Sequence, residues 1–242
     1  MAAQLEVVHL QKSFGGLKAL KGIDLSFEAG ELVGLIGPNG SGKTTLLNII
    51  GGYYSASGGE IRLDGRRCDG KSPVALAHMG IGRSFQVTKV FKRLTILENM
   101  LVGALAVPGT SRGKAEARAM AVLDTLLLTR LAHEPASSLS GGQAKLLEFG
   151  RIMMLSPKIV LLDEPFGGVH PDLKRFMYGK IREWNAAGAT IILVSHDMGS
   201  IFGLCRRVVT LSYGEIIADG TPEAVRADPA VLEAYLGDHH AA

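Results

Sequence analysis

The chain has 242 residues, with 26 Lys and Arg against 23 Asp and Glu, for a formal net charge of +3. Hydrophobic residues make up 47% and charged residues 20%, which excludes a disordered chain and suits one large domain with its own core. The charge excess is small and spread out, so no nucleic-acid partner is expected.

Two cysteines, Cys68 and Cys205, are too few for a disulfide scaffold and are expected to be reduced. The 31 glycines are roughly twice the usual share, so part of the chain needs backbone freedom or close backbone approach. The start, MAAQLEVVHLQKSF, has no basic region leading into an apolar run, and no secretory signal is expected. No stretch approaches the ~18 apolar residues of a spanning helix. The mean hydropathy of +0.21 points to strands buried on both faces and to apolar surface kept for a partner.

In the first third, Ile23, Leu25 and Phe27 alternate with Asp24, Ser26 and Glu28, the pattern of a half-buried strand. Ala29-Gly30 turns the chain into LVGLI, a short apolar run that reads as a fully buried strand. A Gly-rich loop and the helix candidate KTTLLNII follow. Ile61 and Leu63 alternate into the hairpin signal Asp64-Gly65.

From about residue 87 to 156 the pattern turns helical. Thr95 and Glu98 have capping-box spacing before an apolar run. GKAEARAMAVLDTLLL is rich in helix formers, and GQAKLLEFGRIMML is a further helix candidate. The last third alternates again: KIVLLDEP reads as a strand, and Leu173, Phe176, Met177, Ile181 and Trp184 fall on one helical face as a core stripe. TIILVSH reads as a buried strand and VVTLSYGEIIADG as a hairpin around Tyr213-Gly214. Strand, helix, strand at this spacing predicts an α/β fold with a parallel sheet and right-handed crossovers.

Gly37-Pro38-Asn39-Gly40-Ser41-Gly42-Lys43-Thr44 fits GxxxxGK[ST] between a predicted strand and a predicted helix. Glycines let backbone N–H groups turn inward around phosphate oxygens, and the helix N-terminus adds unsatisfied donors. Lys43 supplies a point charge for the β- and γ-phosphates, and the Thr44 hydroxyl can ligate Mg²⁺. Asp163 ends the apolar strand Ile159 to Leu162, where a carboxylate is the usual second holder of the metal. Glu164 follows as the candidate that polarises the attacking water. Leu139-Ser140-Gly141-Gly142-Gln143 precedes a helix, with Ser140 as a cap and two glycines exposing amides, which is a second phosphate grip. That grip suits a nucleotide held by another chain in a head-to-tail pair.

The phosphate loop, LSGGQ, LLDEP and Ser195-His196-Asp197 resemble, in order and spacing, the ATP-binding subunits of ABC transporters, from Leu5 to Gly237. The resemblance implies a P-loop fold with a mostly parallel core sheet, an N-terminal antiparallel β part and an inserted helical subdomain. It divides a single domain into a catalytic core at 1–86 and 157–220, a helical subdomain at 87–156 carrying LSGGQ, and a helical tail at 221–242. The nucleotide ligands it implies are Phe14, as the aromatic stacked on adenine, and the loop from Gly37 to Thr45. Ser140, Gly141, Gly142 and Gln143 are expected to grip the partner's γ-phosphate. Mg²⁺ is expected near Thr44, Gln86 and Asp163, with Glu164, His196, Gln86 and Lys43 as the catalytic set. His170 departs from the pattern, standing where such chains usually carry Asp or Asn in the loop that meets the opposing subunit.

GIGRSFQ, VFKRLTILENMLVG, GGQAKLLEFGRIMM and ADGTPEAVRADPAVLEAYLG are similar to the ATPases of branched-chain amino acid importers. DEPFGGVHP and the YLG ending also resemble the ATPase of lipopolysaccharide export, and GIGR-FQ that of urea uptake. The expectation is a peripheral subunit on the cytoplasmic face of the membrane, powered by ATP. Its partners are a second cassette, transmembrane permease subunits and, indirectly, a solute-binding protein. The stretch from Val87 to about Gly103, with Lys89, Lys92 and Arg93 among apolar residues, resembles part of the groove that receives a short helix of the membrane subunit. A soluble ABC-type ATPase acting on DNA or ribosomes is disfavoured, because the chain has no long coiled-coil insertion and only one cassette.

Overall fold

A computed structural model describes residues 4–84, 89–104 and 110–237. Two sheets organise it. The first has four strands in the order β2-β1-β4-β5, with β1 at Leu5–Phe14, β2 at Leu17–Phe27, β4 at Gly58–Leu63 and β5 at Arg66–Arg67. All its pairings are antiparallel. The expected alternation along β2 is present: Ile23, Leu25 and Phe27 are buried while Asp24 and Ser26 are exposed.

The second sheet has six strands in the order β10-β9-β3-β8-β7-β6. β3 spans Leu32–Ile36, β6 Ile81–Arg83, β7 Ile159–Asp163, β8 Thr190–Val194, β9 Arg207–Ser212 and β10 Glu215–Gly220. β6, β7, β8, β3 and β9 run parallel, and only β10 is antiparallel, as the second arm of the hairpin. Every residue of β3, β7 and β8 is buried, as expected for strands covered on both faces.

The pleat sends alternate side chains to two cores. Val33, Leu35, Ile159, Leu161, Ile192 and Val194 join the antiparallel sheet and Leu46, Ile49 and Ile50 of α1 (Lys43–Ile50). Leu32, Ile36, Val160, Leu162, Ile191 and Leu193 face the larger core. The helices that feed that core include α3 (Ile96–Ala104), α4 (Arg112–Thr125), α5 (Gly141–Met153) and α6 (Pro171–Ala186). On α6, Met177 and Ile181 are fully buried, with Leu173, Phe176 and Trp184 packed beside them, as the stripe predicted.

Local signals explain several helix starts. Thr95 Oγ1 accepts the Glu98 N–H at 3.1 Å and Glu98 Oε2 accepts the Thr95 N–H at 2.7 Å, a closed capping box. Ser72 caps α2 (Pro73–Met79), and Asp197 caps α7 (Met198–Leu204) by accepting the Ser200 N–H at 3.3 Å. The helix predicted to run through LDTLLL stops at Thr125, because Leu127 takes a positive φ of 59°. Both cysteines are free and buried, and burial pushes the Cys68 thiol to about 11 and the Cys205 thiol to about 12, so neither is a nucleophile.

α7 lies close against the centre of β3. A Cβ on Gly34 would stand 2.7 Å from Ile201 Cγ2 and 3.3 Å from Cys205 Sγ. Gly34→Ala is therefore expected to lower the unfolding free energy by about 1–3 kcal/mol, through overpacking alone. Urea denaturation, with an unchanged dependence on denaturant, is the check.

Candidate functional site

The parallel register brings three chemistry-bearing segments to one edge. Leu35 stands level with Val194, and Val194 with Asp163. The residues that follow these strand ends begin the Gly-rich loop, Glu164 and Ser195-His196. Ligand sites in open parallel sheets lie at this carboxyl edge.

The loop from Gly37 to Gly42 connects β3 to α1. Gly37 has φ +144°, and a Cβ there would sit 2.0 Å from the Leu211 carbonyl oxygen. Gly42, at φ +109°, would bring a Cβ to 2.8 Å from the Ala19 carbonyl oxygen. Glycine is therefore required at both positions by backbone angle and by space. Lys43 Nζ donates to the carbonyls of Gly37 and Pro38, each at 2.7 Å, and to Ser41 Oγ at 3.2 Å. The ammonium is thus folded over the loop rather than extended into solvent.

A cavity of about 710 Å³ opens in front of this loop. Asn39, Gly40, Gly42, Lys43, Thr44, Thr45, Asp163 and Glu164 line one side, and Phe14, Lys18, Lys21 and Tyr213 another. Gly37, Pro38 and Ser41 are not among its lining residues. Ser41 is 3% exposed and acts from behind the loop. Phe14 is 43% exposed, with Tyr54 edge-on at 5.4 Å and the Lys12 ammonium 4.8 Å from its ring centre. The ring thus lines the cavity with part of its surface exposed.

Asp163 is 2% exposed. Its N–H donates to Ser84 Oγ at 3.0 Å, and Oδ2 accepts from Arg83 Nη2 at 3.3 Å. Burial pushes its carboxyl above the usual carboxylate range, and the Arg83 guanidinium pulls the other way. Arg83 is itself pushed down by burial, with Asp163 and Tyr53 opposing the shift. A contact this long does not by itself repay the desolvation of both charges. Sequence reasoning missed this ion pair. GIGR gives no sign that β6 would place Arg83 beside β7.

Glu164 has φ +49°, a left-handed conformation that costs a side-chain-bearing residue on the order of 1–3 kcal/mol. Its own N–H is tied to the Val194 carbonyl at 2.9 Å. Its carboxylate is held by the His196 N–H at 2.8 Å to Oε1 and by Ser195 Oγ at 3.4 Å to Oε2. His196 Nδ1 lies 2.9 Å from Oε2, with the His side chain 80% exposed. Glu164 and His196 are therefore brought together, with the carboxylate facing the cavity and the imidazole outside its lining.

The second predicted grip has the expected local form. Ser140 Oγ accepts the Gln143 N–H at 3.3 Å while Gln143 Oε1 accepts the Ser140 N–H at 3.0 Å. Gly141 has nothing near a Cβ, but a Cβ on Gly142 would meet Leu173 Cδ2 at 2.4 Å. Ser140 and Gly141 are exposed, and none of Ser140, Gly141, Gly142 and Gln143 lines the cavity at Lys43. Gln86 lies outside the described residues.

His170, the departure from pattern, is the N-cap of α6. Its Nδ1 accepts the Asp172 N–H at 3.4 Å and its side chain is 75% exposed. A helix-capping role fits a residue just before Pro171. Sequence reasoning missed this cap, although Pro171 directly after it is a helix-start signal.

Residues 20–167 match the family described as ABC transporter. Residues 215–241 match the one described as branched-chain amino acid ATP-binding cassette transporter. The chain is 38% identical to the high-affinity branched-chain amino acid transport ATP-binding protein BraF of Pseudomonas aeruginosa, over 97% of this chain and 98% of that one. It is 37% identical to LivG of Escherichia coli K12, which carries the same description, over the same shares. A crystal structure of the ADP conformation of an ABC-transporter cassette superposes with a TM-score of 0.87 at 34% identity, over 98% of this chain and 100% of that chain. A dimeric bacterial ABC-transporter cassette matches at a TM-score of 0.82 and 28% identity, over 90% of this chain and 98% of that one. Among the described residues, no helix is long and apolar enough to cross a membrane. The chain belongs to the ABC transporter family and is its ATP-binding, ATP-hydrolysing subunit.

Proposed function

We propose that this cassette powers uptake of branched-chain amino acids from the cytoplasmic face of a membrane, as half of a head-to-tail dimer closed on two ATP molecules. The observation that carries the dimer is the outward position of the second grip. Ser140 and Gly141 present a capped helix start to solvent, on residues that line no cavity with their own chain's Lys43. A phosphate bound there comes from a nucleotide on another cassette, a second copy or a paralogue. The choice of solute rests on the full-length similarity to BraF and LivG and on the match at residues 215–241.

The loop amides and Lys43 bind the β- and γ-phosphates, and Phe14 stacks on the adenine. The residues suit Mg²⁺: Thr44 offers a hydroxyl and Asp163 a buried carboxylate on the same cavity, hard oxygen ligands that leave the remaining positions to phosphate and water. Asp163, Thr44 and Gln86 would hold the ion, which when bound neutralises charge on the phosphates. Glu164 accepts the proton of the attacking water, or orients it, from a carboxylate already fixed by the His196 and Ser195 donors. His196 contacts the γ-phosphate through its exposed ring. The partner's Ser140, Gly141, Gly142 and Gln143 complete the donor set around the transferred group, so stabilisation of the transition state depends on closure.

Movement passes to the pore through the segment 87–156, which we take as the helical subdomain. A groove of about 360 Å³ lies between Arg83, Phe91, Val102, Arg151 and Leu155. Phe91 is 47% exposed and has the Arg151 guanidinium 4.7 Å from its ring centre. We assign this groove to a short helix of a permease subunit, with an apolar side against Phe91, Val102 and Leu155. The solute-binding protein acts through that subunit.

Glu164→Gln is expected to lower ATP turnover about a hundredfold or more and to accumulate an ATP-bound dimer, read as mass by light scattering with saturating ATP and Mg²⁺. A variant that remains monomeric under those conditions would overturn either the assignment of Glu164 or the closed pair. Phe91→Ala is expected to abolish copurification with the permease subunits while leaving ATP affinity within twofold of wild type. Retained copurification would place the docking groove elsewhere.

A further inference from the structure

The C-terminal helix reaches back to the phosphate loop. Tyr235 lies on α9 (Pro229–Gly237), which packs on α8 (Pro222–Ala227) and β10. Its phenol oxygen accepts the Gly37 N–H at 2.8 Å, across 198 residues of sequence. The ladder of β3 ends at Ile36, so the Gly37 amide is the first to leave the sheet, and the Tyr235 hydroxyl accepts it there.

On its other side, Gly37 offers its carbonyl to Lys43 Nζ at 2.7 Å. The residue is thus held at its N–H by the tail and at its C=O by the ammonium that faces the nucleotide cavity. With φ +144° and no room for a Cβ, Gly37 has no side chain to anchor it, and its placement depends on these bonds and on the neighbouring strand. Tyr235 is half-buried against the larger core. Burial raises its hydroxyl to about 12, with the Gly37 N–H pulling slightly the other way, so the phenol stays neutral near pH 7.

We propose that Tyr235 is a positioning residue for nucleotide binding. Its hydroxyl fixes the Gly37 amide and, through the Gly37 carbonyl, the reach of Lys43, so that the C-terminal helix sets the affinity of the phosphate loop. Tyr235 touches no substrate in this role. It acts from the outer side of the loop, where the nucleotide does not reach. The proposal rests on the reading of Gly37 to Thr44 as the phosphate site.

The test compares the full-length wild type, Tyr235→Phe and Leu236→Ala. Tyr235→Phe keeps the ring and its packing and removes only the hydroxyl. Leu236 is 66% exposed on the same helix and serves as the control. Titration with ATP and Mg²⁺, read by displacement of a fluorescent ATP analogue, is expected to show affinity about threefold to tenfold weaker for Tyr235→Phe. Leu236→Ala is expected to match wild type. Amide exchange at Gly37 is expected to speed up in Tyr235→Phe while that at Leu35, inside β3, is unchanged. Affinity equal to wild type in Tyr235→Phe, or an equal loss in Leu236→Ala, would overturn the role of the hydroxyl. A wild type that binds no ATP would overturn the phosphate-site reading beneath it.

Discussion

The site depends on the parallel register of three buried strands. Because Leu35, Val194 and Asp163 stand level across β3, β8 and β7, the segments that follow them emerge side by side. Parallel pairing requires the long crossovers that carry α1, α5, α6 and the segments between. The sequence distance between Lys43 and Glu164 thus follows from the topology. The strands can be nearly all apolar because both faces are covered. The polar chemistry is confined to their ends, where backbone amides no longer have sheet partners.

Close backbone approach is the second requirement. The phosphate loop is wedged against the end of β9 and against β2, with the Leu211 and Ala19 carbonyls where side chains of Gly37 and Gly42 would be. The Gly214 N–H donates to the Ser41 carbonyl at 3.0 Å, tying the hairpin turn to the same loop. Packing this tight holds the loop amides in place, which lowers the reorganisation cost of binding an anion. It also makes the loop responsive to whatever braces it from outside, the hairpin and the C-terminal helix.

Charge is arranged in two different ways around the strand ends. Asp163 is deeply buried beside Arg83, and the desolvation of both leaves a carboxylate suited to a further cation. Glu164, one residue later, is turned by its positive φ into a more open setting and is oriented by neutral donors from Ser195 and His196. Adjacent carboxylates thereby come to differ in burial and partners, which is the basis for the different roles proposed for them. The capped start of α5 is arranged differently again. Its residues line no part of the cavity at Lys43, which is why the proposed site needs a second cassette.

Local chemistry was readable from the sequence because it is short-range. The glycine spacing before Lys43, the capping box from Thr95 to Glu98, the cap at Ser140, the all-apolar strands and the stripe on α6 each depend on residues a few positions apart, where chain geometry leaves few alternatives. So does the N-cap at His170, just before Pro171. What the tertiary structure decided is which distant residues meet. β6 beside β7 sets Arg83 against Asp163, the end of β8 sets the His196 amide against Glu164, and α9 sets Tyr235 against Gly37. No period or motif encodes these contacts, since each joins residues at least 32 positions apart and depends on strand order and helix docking fixed by the whole core.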